Sequence, residues 1–253
     1  MRINLISEVK KLEEAGKPHI DSRLMAIAEM VPKGAVIADI GTDHGYLPAY
    51  LLTHGLIAYA YASDVAPGPL QSAMETVRLY GLEDQVSLAL SDGLKNLPEA
   101  CANTVIIAGM GSETINKIVG DCCWLRQGGV TLLLQPMTHP ERLRTFLYGN
   151  GFDIKREKAV IHGGRGYAIM EVRYTGERKT LDALEAYVGK LLVSPGMEEL
   201  LYIRRLRDKL KKRRRGLLRS CNAANQNEAG RMAEIIVTIE KMLGDYVENA
   251  DSL

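Results

Sequence analysis

Short apolar runs alternate with amphipathic segments between Ala35 and Pro136. Five of the runs are aliphatic and carry few charges: AVIADI, IAYAYASD, VSLAL, TVIIAGM and GVTLLLQP. Most are separated by segments long enough for a helix, with apolar residues three or four positions apart, and another helix is predicted earlier, over 22–31. This alternation is typical of an α/β fold with a mostly parallel sheet whose strands are joined by crossover helices.

The rhythm of the chain changes near residue 150. FDIKREKAVIH and YAIMEVRY are two extended runs, and the GGRG segment between them is too short for a crossover helix. We therefore predict that the strands at this end of the sheet pair antiparallel.

Beyond Thr175 the strand-like runs end and helical periodicity takes over. The predicted helices cover LDALEAYVGKLL, MEELLYIRRLRDKLKKRRRGLLRS and EAGRMAEIIVTIEKML, and NAANQN separates the last two. Each of these two helices carries an apolar stripe that the other can cover, namely Leu200, Ile203, Leu206, Leu210 and Leu217, and Met232, Ile235, Ile236, Ile239 and Leu243. The chain is thus predicted to divide into a sheet domain, 1–175, and a helical hairpin, 176–253.

Composition narrows the classes of function. The 253 residues are 46% hydrophobic and 25% charged, enough for one core with an appendage, and the net charge of +1 by itself indicates neither nucleic acid nor membrane. The four cysteines lack zinc-site spacing, the amino terminus lacks a signal-peptide core, and no apolar run is long enough to span a membrane. We expect a cytoplasmic protein without metal or membrane association. A monomer is favoured, although the sequence does not fix the oligomeric state.

The stretch VIADIGTDHGYLPAYLL carries the first candidate site. Parallel sheets bind ligands at the carboxyl ends of their strands, where the residues from Asp39 to Leu47 fall. Gly41 leaves the backbone accessible, and a helix beginning near Tyr46 directs free N–H groups to the same place. The D-I-G-T-D-H-G pattern lacks the third glycine of G-x-G-x-x-G, and its acids would repel a pyrophosphate. The turn therefore favours a cationic or zwitterionic ligand and argues against a nicotinamide dehydrogenase.

Two further strand ends carry acids. Asp64 ends IAYAYASD, where a carboxylate can accept hydrogen bonds from ribose hydroxyls. Asp92 follows VSLAL, where it can accept from an adenine amino group while Gly93 admits the base. Three such turns in register form parts of an adenosine site, and S-adenosylmethionine fits their charge best. Any one of them alone is also explained as a simple tight turn.

The motifs SRL, ADIGTDHGYLP, SDGL, AGMG and LQP together resemble the bacterial tRNA (adenine-22-N1)-methyltransferases of the TrmK type. The resemblance extends over most of the chain. It implies a Rossmann-like class I methyltransferase sheet with an antiparallel last strand, a carboxyl-terminal coiled-coil hairpin, S-adenosylmethionine as cofactor and tRNA as partner. Carried over by position, it implies a cofactor pocket formed by Asp39, Gly41, Asp43, His44, Asp64, Asp92, Gly93, Gly109 and Met110.

The chain also departs from the family pattern. It has Gly111-Ser112 where Gly-Gly is common, Met137 where asparagine is common, and Ala168 where glutamate is common. The first two departures leave the exact nucleotide target open, and we expect the fold to tolerate all of them.

The implied reaction needs little from the protein beyond alignment. Adenine N1 has a lone pair and no proton at neutral pH, so it can attack a sulfonium methyl group directly. Asp43, Met110 and Gln135 are positional candidates for catalysis, since an acid could stabilise charge on adenine and Gln135 could hydrogen-bond a base edge. For His44 as a proton shuttle and Tyr46 as a stacking surface, plain roles in hydrogen bonding and core packing are equally open.

Positive charge is concentrated in RRLRDKLKKRRRGLLR, from Arg204 to Arg219. Such a run taken alone is usually a solvated helix face, but beside a methyltransferase cleft it favours binding of RNA phosphates, with the target base extruded into the cleft. The RNA-binding candidates are Arg207, Lys211, Lys212, Arg213, Arg214 and Arg215. A methyltransferase for ribosomal RNA or a small molecule, and a non-catalytic RNA-binding protein with an adenosine pocket, are the alternatives that the sequence leaves open.

Overall fold

The computed structural model describes residues 16–219 and 222–250, in which the strands form a seven-stranded sheet with the order β3-β2-β1-β4-β5-β7-β6. The strands are β1 (Ala35–Ile40), β2 (Ile57–Asp64), β3 (Val86–Leu90), β4 (Thr104–Gly111), β5 (Thr131–Thr138), β6 (Phe152–His162) and β7 (Arg165–Tyr174). The five apolar runs of the sequence are β1 to β5, which pair in parallel, and β7 is antiparallel to both of its neighbours. The predicted sheet is confirmed.

The helices of the described chain are α1 (Ser22–Ala28), α2 (Tyr46–Thr53), α3 (Pro67–Leu79), α4 (Ser112–Asp121), α5 (Pro140–Gly149), α6 (Ala183–Val188), α7 (Met197–Leu217) and α8 (Ala223–Ala250). Local chemistry sets several of their starts. Asp21 accepts a hydrogen bond from the Leu24 N–H at 2.8 Å and so caps α1, while Pro67 occupies the first turn of α3.

The strand order places a switch point beside β1. The chain passes from β1 outward through β2 to β3, then returns to β4 on the other side of β1. Crossover connections diverge at such a point, and a crevice opens above the carboxyl ends of the strands. The turns after β1 and β4 therefore face one another across this crevice.

The two long carboxyl-terminal helices pack as the apolar stripes predict. Ile203 and Leu210 of α7 and Ile239 of α8 are buried, and they belong to the same hydrophobic cluster as the residues on one face of the sheet. Two helix limits differ from the prediction: α6 ends at Val188, and α8 already includes most of NAANQN because it begins at Ala223.

Helix α7 is attached to the outer strand β6 by its first turn. Glu199 accepts a hydrogen bond from the Ala159 N–H at 2.9 Å, and Glu198 accepts one from the Ile161 N–H at 3.2 Å. These carboxylates pair N–H groups that an edge strand would otherwise expose. The division of the chain at residue 175 stays a prediction, and the packing across that point is continuous.

Candidate functional site

The turn after β1 forms the floor of the candidate site. The Gly41 and Thr42 N–H groups donate to the Ser63 carbonyl at the end of β2, at 2.8 and 2.9 Å. Gly41 has a φ of 75°, and a Cβ there would collide with the methyl group of Met110. The turn is thus shaped by a glycine that brings the ends of β1 and β4 into contact.

Asp39 is a buried carboxylate at the end of β1, 6% exposed. The pKa of Asp39 is raised to about 6, mainly by burial and to a lesser extent by the neighbouring charge of Asp64, while a hydrogen bond with Thr42 opposes the shift. A positively charged ligand would relieve both effects because it would stabilise the ionised carboxylate. Among the predicted site residues, Asp39 carries the clearest sign of a cationic partner.

Asp43, His44 and Tyr46 lie at the rim of the site. The Asp43 side chain is 68% exposed and lies 3.6 Å from the His44 ring, which in turn stacks on Tyr46 with ring centroids 5.2 Å apart. Stacking and core packing were both open for Tyr46, and its 46% exposure excludes core packing and leaves its face open to a base. Asp43 adopts a positive φ of 52°, a conformation that acids tolerate better than most side chains.

Gln135 lies beneath the site and its polar atoms are already engaged. Its Oε1 accepts hydrogen bonds from Arg23 at 2.8 Å and from the Gly109 N–H at 3.2 Å, and its Nε2 donates to the Pro136 carbonyl at 3.0 Å. The side chain is fully buried. This arrangement suits a residue that positions its neighbours, and it leaves no free group for a base edge.

Arg23 is a site residue whose role the sequence did not reveal. It projects from α1 across the ends of β4 and β5, where its guanidinium bonds to Gln135 and lies 3.7 Å from Asp21. It lines the same cavity as Asp39, with its side chain only 20% exposed. The SRL motif was the available signal, but nothing local indicates that α1 packs at this edge of the sheet.

The cavity that these residues form has a volume of about 280 Å³. It brings together Asp39, Gly41, Asp43, His44 and Gly109 of the predicted set, together with Arg23, Tyr46 and Met137. Met110 borders it through its contact with Gly41. The cavity therefore offers one cation and two carboxylates within one small space.

Asp64, Asp92 and Gly93 lie farther along the carboxyl edge. Asp64 accepts a hydrogen bond from the Ala66 N–H at 2.9 Å and is half-buried. Asp92 is exposed, and a hydrogen bond from Lys95 at 2.5 Å, assisted by the charge of Lys117, lowers its pKa. Asp92 lines a separate cavity of about 230 Å³, and Gly93 packs its backbone against Ile118. None of these three residues lines the first cavity, although Asp64 is close enough to Asp39 to affect its pKa.

The predicted RNA-binding residues all lie on α7 and differ in their partners. Arg207, Lys211 and Arg213 form ion pairs with Asp208, Glu240 and Glu228 at 2.8, 2.5 and 2.6 Å. In the described ranges no carboxylate lies within 4.0 Å of Lys212, Arg214 or Arg215, and Arg214 donates to the Ala229 carbonyl. Half of the predicted charge is therefore balanced within the hairpin.

The described residues contain no cluster of three or more histidine, cysteine or acidic side chains suited to a metal ion. None of the helices in this part of the chain is long and apolar enough to cross a membrane. Cys221 and the amino-terminal segment 1–15 lie outside the described residues.

The sheet order and the acid- and glycine-containing turns define the class of protein, a Rossmann-like class I methyltransferase. A family model for a methyltransferase domain matches residues 20–170. The tRNA (adenine(22)-N(1))-methyltransferase of Bacillus subtilis is 32% identical over 70% of this chain and 74% of its own length. The chain therefore belongs to the methyltransferase-domain family and, within it, to the family of that tRNA methyltransferase.

Solved structures agree with this assignment. The crystal structure of the Bacillus subtilis m1A22 tRNA methyltransferase TrmK is 25% identical, with a TM-score of 0.78 over 89% of this chain and 99% of that chain. A Streptococcus pneumoniae protein crystallised with S-adenosyl-L-methionine is 29% identical, with a TM-score of 0.74 over 89% of this chain and 100% of that chain. Both likenesses include the carboxyl-terminal helices, because they cover more of the chain than the sheet alone.

Proposed function

We propose that this protein is an S-adenosylmethionine-dependent methyltransferase that methylates N1 of adenine 22 in tRNA. The observation that carries the proposal is the cavity between β1 and β4, where the buried Asp39 and the cation of Arg23 lie together. Its support from relatives is the activity named for the Bacillus subtilis protein and the S-adenosyl-L-methionine complex of the Streptococcus pneumoniae protein. The proposal includes a cytoplasmic location and a monomeric state.

The residues of the cavity fit the charges of S-adenosylmethionine. The cofactor has a carboxylate, an ammonium and a sulfonium, and the cavity offers one guanidinium and two carboxylates. Arg23 would hold the carboxylate by charge-assisted hydrogen bonds, and Asp39 would pair with the ammonium. Asp64 would accept from the ribose hydroxyls, and Asp92 with Gly93 would contact the adenine ring. The sequence predicted these last roles, and they remain proposals.

The chemical step requires alignment more than acid–base catalysis. S-adenosylmethionine supplies a methyl group bound to a positively charged sulfur. The N1 lone pair of adenine forms the new N–C bond as the S–C bond breaks, and the positive charge moves to the product base. Asp43 at the mouth of the cavity would stabilise this developing charge, and the exposed face of Tyr46 would stack on the extruded base.

Two other residues would act indirectly. Met110 shapes the floor at Gly41, and Gln135 holds Arg23 and the Gly109 backbone in place. The basic residues of α7 would bind tRNA phosphates, so that 1–175 carries the cofactor and 176–253 contributes to RNA binding.

The test is methyl transfer to tRNA. The protein is incubated with labelled S-adenosylmethionine and unmodified total tRNA, and the labelled nucleoside is identified after digestion. We expect label in 1-methyladenosine with the wild-type protein and with Asp84→Ala, an exposed acid before β3, and loss of label with Asp64→Ala. Absence of label in the wild-type reaction despite cofactor binding, with label appearing instead in ribosomal RNA, would replace the proposed substrate.

A further inference from the structure

A second and larger cleft lies between the sheet and helix α7. Its volume is about 450 Å³, within the range of sites that hold a molecule of nucleotide size. It is bounded by the end of β5, the turn between β6 and β7, and one face of α7. None of the RNA-binding residues predicted from the sequence except Arg213 lines it.

The cleft carries positive charge that its surroundings do not neutralise. Arg165, Arg205 and Lys209 line it, and no carboxylate of the described chain lies within 4.0 Å of their charged groups. Arg205 donates a hydrogen bond to the Gly164 carbonyl, a neutral partner. Of the described lining residues Glu141 alone is acidic, and it pairs with His139 at 2.9 Å. The cleft therefore suits an anion.

The cleft also has an apolar wall. Tyr187 and Leu206 are half-buried along it, and Tyr202 closes the bottom with its ring packed on Gly166. Arg144, fully buried, donates to the Ala186 and Tyr187 carbonyls at 2.7 and 2.9 Å and so fixes this wall to the sheet domain. A flat apolar ring attached to an anionic group would match both parts of the cleft.

Met137 joins this cleft to the cofactor cavity. Its side chain lines both of them and is 39% exposed. The two cavities therefore adjoin at this residue. Adjoining cavities suit neighbouring units of one polymer better than two unrelated small molecules.

We propose that this cleft binds the nucleotide adjacent to the target adenine, with its phosphate on Arg165 and Lys209 and its base against Tyr187 and Leu206. The inference rests on the proposed function and extends it by a second nucleotide site. Two consecutive nucleotides are then held out of the stack, one in each cavity, on either side of Met137.

The experiment is a double-mutant cycle in which a side chain of the protein and a phosphate of the tRNA are changed separately and together. Lys209→Ala and Arg165→Ala remove exposed cations whose side chains have no ion-pair partner in the described structure, so folding is preserved. Transcripts carry adenine 22 with a neutral methylphosphonate in place of either flanking phosphate. We expect Lys209→Ala to lower kcat/KM for tRNA about tenfold and to reduce the salt slope of RNA affinity by about one, with cofactor affinity unchanged.

The cycle distinguishes direct contact between a side chain and one phosphate from non-specific electrostatic attraction to the RNA. At one flanking position, methylphosphonate should lower the wild-type kcat/KM about tenfold and should have little further effect on Lys209→Ala or Arg165→Ala. Lys33 is an exposed cation just before β1, at the amino ends of the parallel strands, so Lys33→Ala is the matched control and should behave as the wild type. The nucleotide site would be overturned if the losses from the methylphosphonate and from the protein change multiplied at both flanking positions. It would also be overturned if Lys209→Ala and Arg165→Ala behaved like Lys33→Ala. Either result would leave the proposed methyltransferase activity intact. A wild-type protein that methylates no transcript would overturn the proposed function itself.

Discussion

At the scale of single residues, the charge of Asp39 should govern cofactor binding. Burial raises its pKa to about 6, so the carboxyl group is mostly ionised at pH 7 and mostly protonated at pH 5. A ligand ammonium stabilises only the ionised form, and binding therefore weakens as the pH falls through 6. We expect affinity for S-adenosylmethionine to fall about tenfold between pH 7 and pH 5, as measured by isothermal titration calorimetry.

The variant Asp39→Asn gives the control for this titration. It should bind more weakly at pH 7 and should lose most of the pH dependence, because the amide does not ionise. An unchanged wild-type affinity from pH 7 to pH 5 would contradict the assignment of Asp39 to the ammonium.

The glycine in the turn after β1 provides a second test at this scale. Gly41→Ala places a methyl group against Met110 and forces alanine into a positive φ, so it should lower cofactor affinity at least tenfold. Gly34→Ala has nearly the same φ, 74°, but open space around the new Cβ. It should lower the free energy of unfolding by about 1 kcal/mol without weakening cofactor binding. Equal loss of cofactor binding in both variants would show that backbone strain, not the floor of the cavity, is responsible.

At the scale of elements, a buried ion pair fixes the connection between the sheet and the hairpin. Arg144 of α5 donates to Glu157 of β6 at 2.7 Å, both side chains are fully buried, and Glu157 also accepts from the Lys190 N–H at 2.6 Å. Removing one partner leaves an unpaired buried charge. We expect Glu157→Ala to lower the free energy of unfolding by about 3–5 kcal/mol in urea titrations.

A double replacement distinguishes the contribution of the ion pair to stability from that of the hydrogen bonds around it. Arg144→Met with Glu157→Leu removes both charges and retains the volume, so most of the lost stability should return. A double variant as unstable as Glu157→Ala would instead assign the stability to the hydrogen bonds with Ala186, Tyr187 and Lys190.

The elements also show what could be predicted from sequence. Strands β1, β4 and β5 begin with apolar runs that are buried on both faces, and this composition identifies them in the sequence. The end of α6 depends on Gly189, whose missing side chain makes room for Glu157 and Arg144, residues that are distant in sequence. The start of α8 depends on Asn222, which accepts from the Ala224 N–H at 2.8 Å although an asparagine-rich segment also suggests a loop.

Some residues of the candidate site were likewise predictable from the sequence, and others were not. Asp39, Gly41, Asp43 and His44 were predictable because one continuous turn contains them. Arg23 was not, because its role depends on the tertiary fold that brings its guanidinium to Gln135 of β5. The basic cleft was not either, since it joins the end of β5 to a face of α7 that follows it by more than 60 residues in the chain.

At the scale of the whole molecule, the two cavities and helix α7 form one continuous surface. The cofactor cavity and the basic cleft share Met137, and α7 continues the positive surface of the basic cleft away from the sheet. The hairpin would then bring structured RNA to the sheet, while the choice of base rests with the cavities. In this proposal RNA would be bound by the local positive charge of α7 and the basic cleft, for which the net charge of only +1 is no obstacle.

The most direct test of the account is methyl transfer to a tRNA transcript in which adenine 22 is replaced by 1-deazaadenine, whose ring has CH in place of N1. Such a transcript should bind with nearly unchanged affinity, because phosphate contacts dominate binding, and should accept no methyl group. The unmodified transcript should yield 1-methyladenosine at that position, as located by mass spectrometry of nuclease fragments. Methylation of the deaza transcript at the same rate would contradict the central claim that N1 of this adenine is the acceptor.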